Sequence, residues 1–368
     1  MSSVFDGSQR ACGPSDTTRG FSTVWVILLC PASFPVGREV HESLITREEP
    51  FMLKYALQRI LYMIMVFCII TFMCYVLIRM LPLPVLPPED PHTQMVLMRR
   101  QALGYNEPYL VQFGLFVKNV LTKFDWGLSE KLYFGQDVWT VFVRKLPASM
   151  IVNLYSIIWS IPVGISLGIF AALKKNTWVD YFLSTATMVV ISVPSFVYAF
   201  LVQYIFCFKL QWFPFLMKGG TDYFSLEMFR SLVPPVLSLS FGVIAGFTRT
   251  TRAELTEVLT SEFMLLARTK GLTKTQATIR HALRNCFVVI VPAIFGEFIG
   301  ILGGSLIIEG IFAIPGVGGL TLNAINGLDY NIFLLSTCFY TAIGLAAGLV
   351  VDISYGFIDP RIRMGSKK

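Results

Sequence analysis

The chain has 368 residues, 54% of them hydrophobic and only 14% charged, with a mean hydropathy of +0.64. That balance excludes an ordinary soluble globular domain and places the chain in a membrane. The formal net charge of +7 calls for no nucleic acid, because basic loops beside an anionic leaflet account for it.

Residues 1–51 differ in character from the rest. TVWVILLCPASFPV, 23–36, is apolar but too short to span and is interrupted by Pro31 and Pro35. The region before it is too long and too mixed in charge for a signal peptide. Met52 opens MLKYALQRI with Lys54 and Arg59 as anchors, so 1–51 read as a start-site extension or dispensable tail outside the fold.

A transmembrane helix needs about 20 largely apolar residues. Runs free of Asp, Glu, Lys and Arg predict spans at 60–78, within a start segment 52–81, and then at 146–173, 181–208, 231–248 and 330–351. A further run, 286–308, is broken only by Glu297, giving six spans in all. The connection 82–145 nearly balances its charges and is long enough for short helices. Its aromatic stretch KFDWGLSEKLYFGQDVW, 123–139, suits docking of an extracytoplasmic binding protein or packing at an interface. Lys174 and Lys175, the basic residues of 249–285, and Arg361, Arg363, Lys367 and Lys368 all fall on one side if six spans alternate. Basic flanks stay in the cytoplasm, so both termini are expected there and 82–145 outside.

The loop 249–285 carries most of that charge. RAELTEVLTSEFMLLARTK, 252–270, lacks Pro and Gly and predicts one helix. Gly271 ends it in a left-handed cap, and Thr273 with Gln276 forms a capping box that starts a second helix. From the residues alone this element is either an interfacial helix pair held by anionic lipid or a rigid docking element for a cytoplasmic partner.

Within the spans, Pro162, Gly164, Gly168, Pro194, Pro234, Pro235, Pro292, Gly300, Gly303 and Gly304 suit close helix approach and bending. Glu297 either lines a polar path, pairs with a neighbouring subunit, or is protonated in place. Asp352 and Asp359 read as anchors of the inner boundary. The seven cysteines and three histidines show no zinc-ligand spacing, which predicts neither a metal site nor a disulfide. No catalytic residue is expected: none of the histidines falls in a span to serve a buried nucleophile. A self-sufficient secondary transporter would show repeated halves and several buried ionisable groups.

RTTRAELTEVL, ARTKGL and RHALRN in the basic loop resemble the cytoplasmic loop of permease subunits of bacterial ABC importers, in particular the oligopeptide/dipeptide permease group. ALGYNEPYLVQF (102–113), DWGLS (125–129), LPAS (146–149), SVPSF (192–196), GGSLIIEGIFAIPGVGGL (303–320), NAINGLDY (323–330) and DISYGFIDPRIR (352–363) extend the resemblance in collinear order from Met52 to the C-terminus.

The resemblance implies an all-α membrane protein of six transmembrane helices, the type I importer permease fold. Its core would cover 146–368 and its coupling-helix loop 249–285. It implies uptake of peptides in a bacterial cell membrane. The implied partners are a second related permease, two cytoplasmic ABC ATPase subunits that carry ATP and Mg, and an extracytoplasmic peptide-binding protein. This chain would hold no cofactor of its own. It has no G-x-x-x-x-G-K-[ST] phosphate loop. Of the family's E-A-A, three residues, G, nine residues, I-x-L-P pattern, Ala267, Gly271 and Leu283 match. Leu265, Leu266, His281 and Arg284 stand at the Glu, first Ala, Ile and Pro positions. The implied coupling residues are Arg252, Glu254, Glu257, Ala267, Arg268, Lys270, Gly271, Leu272, Leu283, Arg284 and Asn285. Glu297 is a candidate for the translocation path, and Pro194, Pro292, Gly300, Gly303 and Gly304 are candidates for packing or gating.

Overall fold

The computed structural model describes residues 36–220, 225–303 and 305–358, with side chains from residue 56 to residue 355 within those limits. The expectation for the N-terminal extension therefore lies outside the described residues as far as residue 35. The chain divides between Gln58 and Arg59. The first unit is helical from Val36 onward, and all that follows concerns the second.

Among the described residues the fold is helical throughout, apart from one isolated bridge between Leu128 and Asp137. Helix α1, Val36–Arg79, supplies the span Ala56–Arg79. Two short helices follow, α2 (Thr93–Ala102) and α3 (Tyr109–Lys123). The long α4, Val138–Leu173, is capped by Asp137, whose carboxylate accepts from Thr140 N at 2.8 Å. Pro147 and Pro162 are accommodated inside it, as membrane helices allow when neighbours satisfy the freed carbonyls.

The third apolar run is not a straight span. It forms α5 (Trp178–Ser192) and α6 (Ser195–Val202, continued as a widened turn over Gln203–Lys209), and the two are bent by 100°. Pro194 is the cause: it drives Val193 out of the helical region to φ −91, ψ 128. Tyr198 OH then donates to Val190 O at 2.8 Å across the break, satisfying a carbonyl that the ended helix leaves orphaned.

Helix α7, Leu226–Leu259, starts at Ser225, whose hydroxyl accepts from Met228 N at 3.2 Å. It carries well past the predicted 231–248. The single helix expected over 252–270 is in fact two pieces. Helix α7 stops at Leu259, Ser261 is extended at ψ 154, and α8 (Glu262–Thr269) begins anew. After Gly271 come α9 (Lys274–Ala277), a widened turn (Thr278–Ala282) and α10 (Leu283–Gly300). The apolar run read through 308 ends sooner, at a tight turn over Ile301–Gly303, because Ser305 is extended at φ −129. Composition does not reveal that break. Helices α11 (Leu306–Ile311) and α12 (Val317–Gly327) lead to the last span, α13 (Tyr330–Ile358).

Among the described residues five helices are thus long and apolar enough to cross a membrane, six spans if the bent α5–α6 pair is one. One end of the bundle carries Lys174, Lys175 and the α7–α10 loop and is called the basic end below. At the other end the connection 82–137 folds onto the bundle as a cap. Phe113 and Phe116 of α3 pack on Phe72 and Tyr75 of α1, with centroids 5.1 and 5.2 Å apart. The Arg79 guanidinium lies 3.7 Å from the ring of Tyr105, and the Arg100–Glu130 pair closes at 2.6 Å. Trp126, Tyr133 and Trp139, aromatics that suited a docking surface, pack against buried Val138, Phe142 and Leu335.

Candidate functional site

The basic-end loop is built as a stiff handle. Gly271 has φ +90, a region that side chains disfavour, and its N–H donates to Arg268 O at 3.0 Å. The capping box is complete: Gln276 N donates to Thr273 Oγ1 at 3.3 Å, and Thr273 N to Gln276 Oε1 at 3.2 Å. Met264 and Ala267 of α8, with Ala277 and Ala282 beyond the turn, are buried in one apolar cluster with Leu255 and Cys286, and Leu272 and Leu283 pack on it. The opposite side of α8 is open. Leu265 and Leu266 are 65% and 57% exposed, with Arg268 and Lys270 exposed beside them. Large apolar side chains presented on a short charged helix mark a contact surface. Glu257, Arg284 and Asn285 are exposed and Glu254 is half-buried.

Arg252 is elsewhere engaged. Its guanidinium forks onto Asp180, in the first turn of α5, with Nε–Oδ1 at 2.5 Å and Nη2–Oδ2 at 2.9 Å. The Asp180 side chain is 1% exposed and also accepts from Asn176 N at 3.0 Å. The pair ties the α4–α5 turn to α7 just above the handle.

Helices α4 and α7 run parallel in a fixed register. Ser156 Oγ meets Ser240 Oγ at 3.2 Å, and Thr248 Oγ1 donates to Gly164 O at 3.1 Å. A Cβ on Gly164 would lie 2.8 Å from Phe247 Cβ, and one on Gly168 would lie 2.6 Å from Thr251 Cβ. The backbones therefore touch at small residues four apart, the close approach that GxxxG-like spacing permits. Gly300 and Gly303 do not share this role, for a Cβ there meets nothing within 4 Å among the described residues. Gly304 lies outside the described residues. Pro194 makes the α5–α6 bend, and Pro292 is buried inside α10.

Besides Glu130, paired with Arg100 in the cap, three carboxylates are buried among the described residues and organise the bundle, and none was singled out from the sequence. Asp180 is one. At the far end Glu309, 3% exposed, accepts from Ser305 N at 3.2 Å and Gly319 N at 3.1 Å and is bonded by the Ser149 hydroxyl. Val317 N in turn donates to Ser149 Oγ at 2.8 Å. A Cβ on Gly316 would lie 2.3 Å from both Glu309 Oε2 and Ser149 Oγ, so only glycine admits this clamp. Burial pushes the Glu309 carboxyl above its usual range, against the lowering effect of these hydrogen bonds. Asp329 is fully buried and accepts at Oδ2 from Ser129 Oγ at 2.5 Å and from Lys131 N and Leu132 N at 3.1 Å. It fastens the cap to the start of α13. Each of the three borders an apolar run, at 180/181, 308/309 and 329/330. A search for charge-free stretches reads such residues as boundaries.

Glu297 shares a face of α10 with Ile290, Ile294 and Ile301 and is half-buried. It makes no hydrogen bond or ion pair among the described residues. Asp352 pairs with Arg59 at 3.0 Å. Among the described residues no group of three His, Cys, Asp or Glu is placed to hold a metal ion.

Residues 164–364 match the family described as the binding-protein-dependent transport system inner membrane component. The chain is 32% identical over 315 residues to the oligopeptide transport system permease protein OppB of Haemophilus influenzae, covering 85% of this chain and 100% of that one. It is 31% identical over 317 residues to the dipeptide transport system permease protein DppB of Bacillus subtilis, covering 86% and 100%. To the glutathione transport system permease protein GsiC of Salmonella paratyphi A it is 29% identical over 315 residues, covering 85% and 99%.

Proposed function

The chain belongs to the family of inner membrane components of binding-protein-dependent transport systems, and we propose that it is the permease subunit of an ATP-driven importer of peptides. The observation that carries this reading is the stiff handle at the basic end. It is a short helix with apolar residues outward, rooted in the same apolar cluster as α7 and α10. Such an element has no use in a self-sufficient carrier. A partner that grips it pushes on two spans together.

In this reading the basic end faces the cytoplasm, with both termini on that side, as the placement of Lys and Arg requires. ATP and Mg are held by two cytoplasmic ATPase subunits, since the chain has no phosphate loop of its own. Their closure moves α8, and α7 and α10 rock with it to switch the cavity between outward and inward access, a change of packing rather than of bonding. A second related permease forms the other half of the pathway, and an extracytoplasmic binding protein delivers cargo to the capped end. Similar proteins bear the names of oligopeptide, dipeptide and glutathione permeases, so peptides are the cargo class. Glu297, without a hydrogen-bond or ion-pair partner among the described residues, lines the path and meets a peptide amine.

The test is affinity purification of the tagged chain from its native membrane in mild detergent, with identification of what accompanies it. Recovery of a second six-span permease and phosphate-loop ATPases is expected. Recovery of the chain alone, under conditions that keep other membrane complexes whole, overturns the reading.

A further inference from the structure

At the basic end, a cleft of about 470 Å3 opens between the end of α4, the α7–α8 break and α9. That size falls within the roughly 300–1,000 Å3 of small-molecule sites. Three cations from three separate elements line it: Lys175 from the α4–α5 turn, Arg268 from α8 and Lys274 from α9. None of them has a hydrogen-bonding or ion-pair partner for its side chain among the described residues. The other wall is apolar, formed by Leu173, Leu259 and Met264. Leu173 is the last residue of its span, so the cleft opens where the chain leaves the hydrocarbon. One carboxylate, Glu262, also borders it, leaving a net excess of two positive charges.

We propose that this cleft binds a phosphate-bearing anion, namely the phosphodiester headgroup of an anionic phospholipid in the adjoining leaflet. Converging cations over an apolar wall at the membrane boundary match a molecule with a charged head and an apolar body. A protein carboxylate needs no such wall, and a free phosphate would leave Leu173 and the partly exposed Leu259 facing water. The bound headgroup bridges Lys175, next to the span, and Arg268, on the handle. It therefore ties the one element that a partner would move to an element that stays with the membrane. Leu265 and Arg268 stand at the edge between the cleft and the exposed surface of the handle, while Leu266 and Lys270 lie outside the cleft lining. The lipid site thus stands whether or not the transport reading does.

The experiment uses the protein as isolated with whatever subunits accompany it, placed in nanodiscs of phosphatidylcholine with increasing phosphatidylglycerol. Native mass spectrometry counts the phosphatidylglycerol retained on release into detergent. Removing a charge weakens retention roughly fivefold and removing three on the order of 100-fold, so Lys175→Gln is compared with Lys175→Gln/Arg268→Gln/Lys274→Gln. Lys118→Gln/Lys123→Gln, at the other end of the bundle, should change nothing. Lys175 is exposed, so its single variant keeps the test sound if the triple variant does not fold. Displacement of the retained lipid by inorganic phosphate identifies the phosphate group as the part recognised. Retention equal in wild type and both basic-end variants overturns the proposal. So does a Lys175→Gln/Lys274→Gln variant, with Arg268 kept, that sheds companion subunits in pure phosphatidylcholine, an outcome that assigns the cations to a protein carboxylate.

Discussion

Removing Arg252 should cost far more than removing Asp180, because the two halves of the pair differ in burial. The Asp180 side chain is 1% exposed and that of Arg252 31%. Arg252→Met leaves a carboxylate out of water with only Asn176 N and, at 3.4 Å, Ser184 Oγ to satisfy it. Breaking a buried pair in this way costs about 3–5 kcal/mol. Asp180→Asn leaves a guanidinium that can turn toward water, and the amide oxygen still accepts from Asn176 N. That loss is on the order of 1–2 kcal/mol, a hydrogen-bond-sized effect. The double variant has no charge to strand and should fall close to Asp180→Asn alone, a coupling of about 3–5 kcal/mol, equal to the cost of Arg252→Met itself. Equilibrium unfolding of the purified chain in mixed micelles measures all four corners of the cycle. Equal costs for the two single variants, or a double variant equal to their sum, would refute the account of Asp180 as a desolvated charge held by Arg252.

The α4–α7 seam makes a second prediction. Gly168→Ala forces a methyl to 2.6 Å from Thr251 Cβ and should destabilise by about 1–3 kcal/mol, whereas Gly300→Ala, with open space around it, should stay within about 0.5 kcal/mol; the same unfolding assay decides. Gly271→Pro cannot adopt φ +90 and removes the N–H bonded to Arg268 O. It should leave membrane insertion intact yet abolish uptake and uncouple ATP hydrolysis, and normal uptake would sink the docking role. Burial pushes the Tyr105 phenol up to about 12. A pKa raised in the folded state means that stability is present below about pH 10 and lost as pH rises toward 12. Tyr105→Phe should flatten that alkaline loss, as thermal melts across pH 9 to 12 would show.

What the sequence revealed follows from what is local. The Gly271 turn and the Thr273–Gln276 capping box depend on residues a few positions apart and were readable in full. The six apolar runs were visible from composition, but not where their helices bend, begin or end. The bend at Val193–Pro194 was within reach, since a proline constrains the residue before it. An uninterrupted apolar run hid the consequence that the span is a 100° elbow. The clamps were out of reach. Glu309 meets Ser149 across 160 positions and Asp329 meets Ser129 across 200. A carboxylate at the edge of an apolar run looks the same in sequence whether it faces water or is buried by a partner from elsewhere in the chain. Arg252, placed by the sequence in the basic loop, is paired with Asp180, 72 positions away, a contact that no local pattern reveals.

The two ends of the bundle are held by different physics, and this bears on what can move. At the capped end, Glu309 and Asp329 are held largely by backbone N–H groups, so breaking either clamp strands a buried carboxylate and costs several kcal/mol. Those joints hold α4, α11, α12 and the start of α13 as one piece. Toward the basic end the α4–α7 joint is chiefly close packing at the glycines, with the Asp180–Arg252 pair beside it. Displacement of α8 reaches α7 across only Thr260 and Ser261. Helix α7 cannot slide along α4 without carrying Thr251 over Gly168, whose missing side chain leaves no room to spare. Sliding is therefore blocked, while rolling about the glycine contacts strains only the Ser156–Ser240 and Thr248–Gly164 hydrogen bonds and leaves the buried carboxylates held. In the proposed transport cycle, a push on the handle becomes rotation of α7 against α4, with the Asp180–Arg252 pair drawing α5 along and the capped end serving as the fixed point.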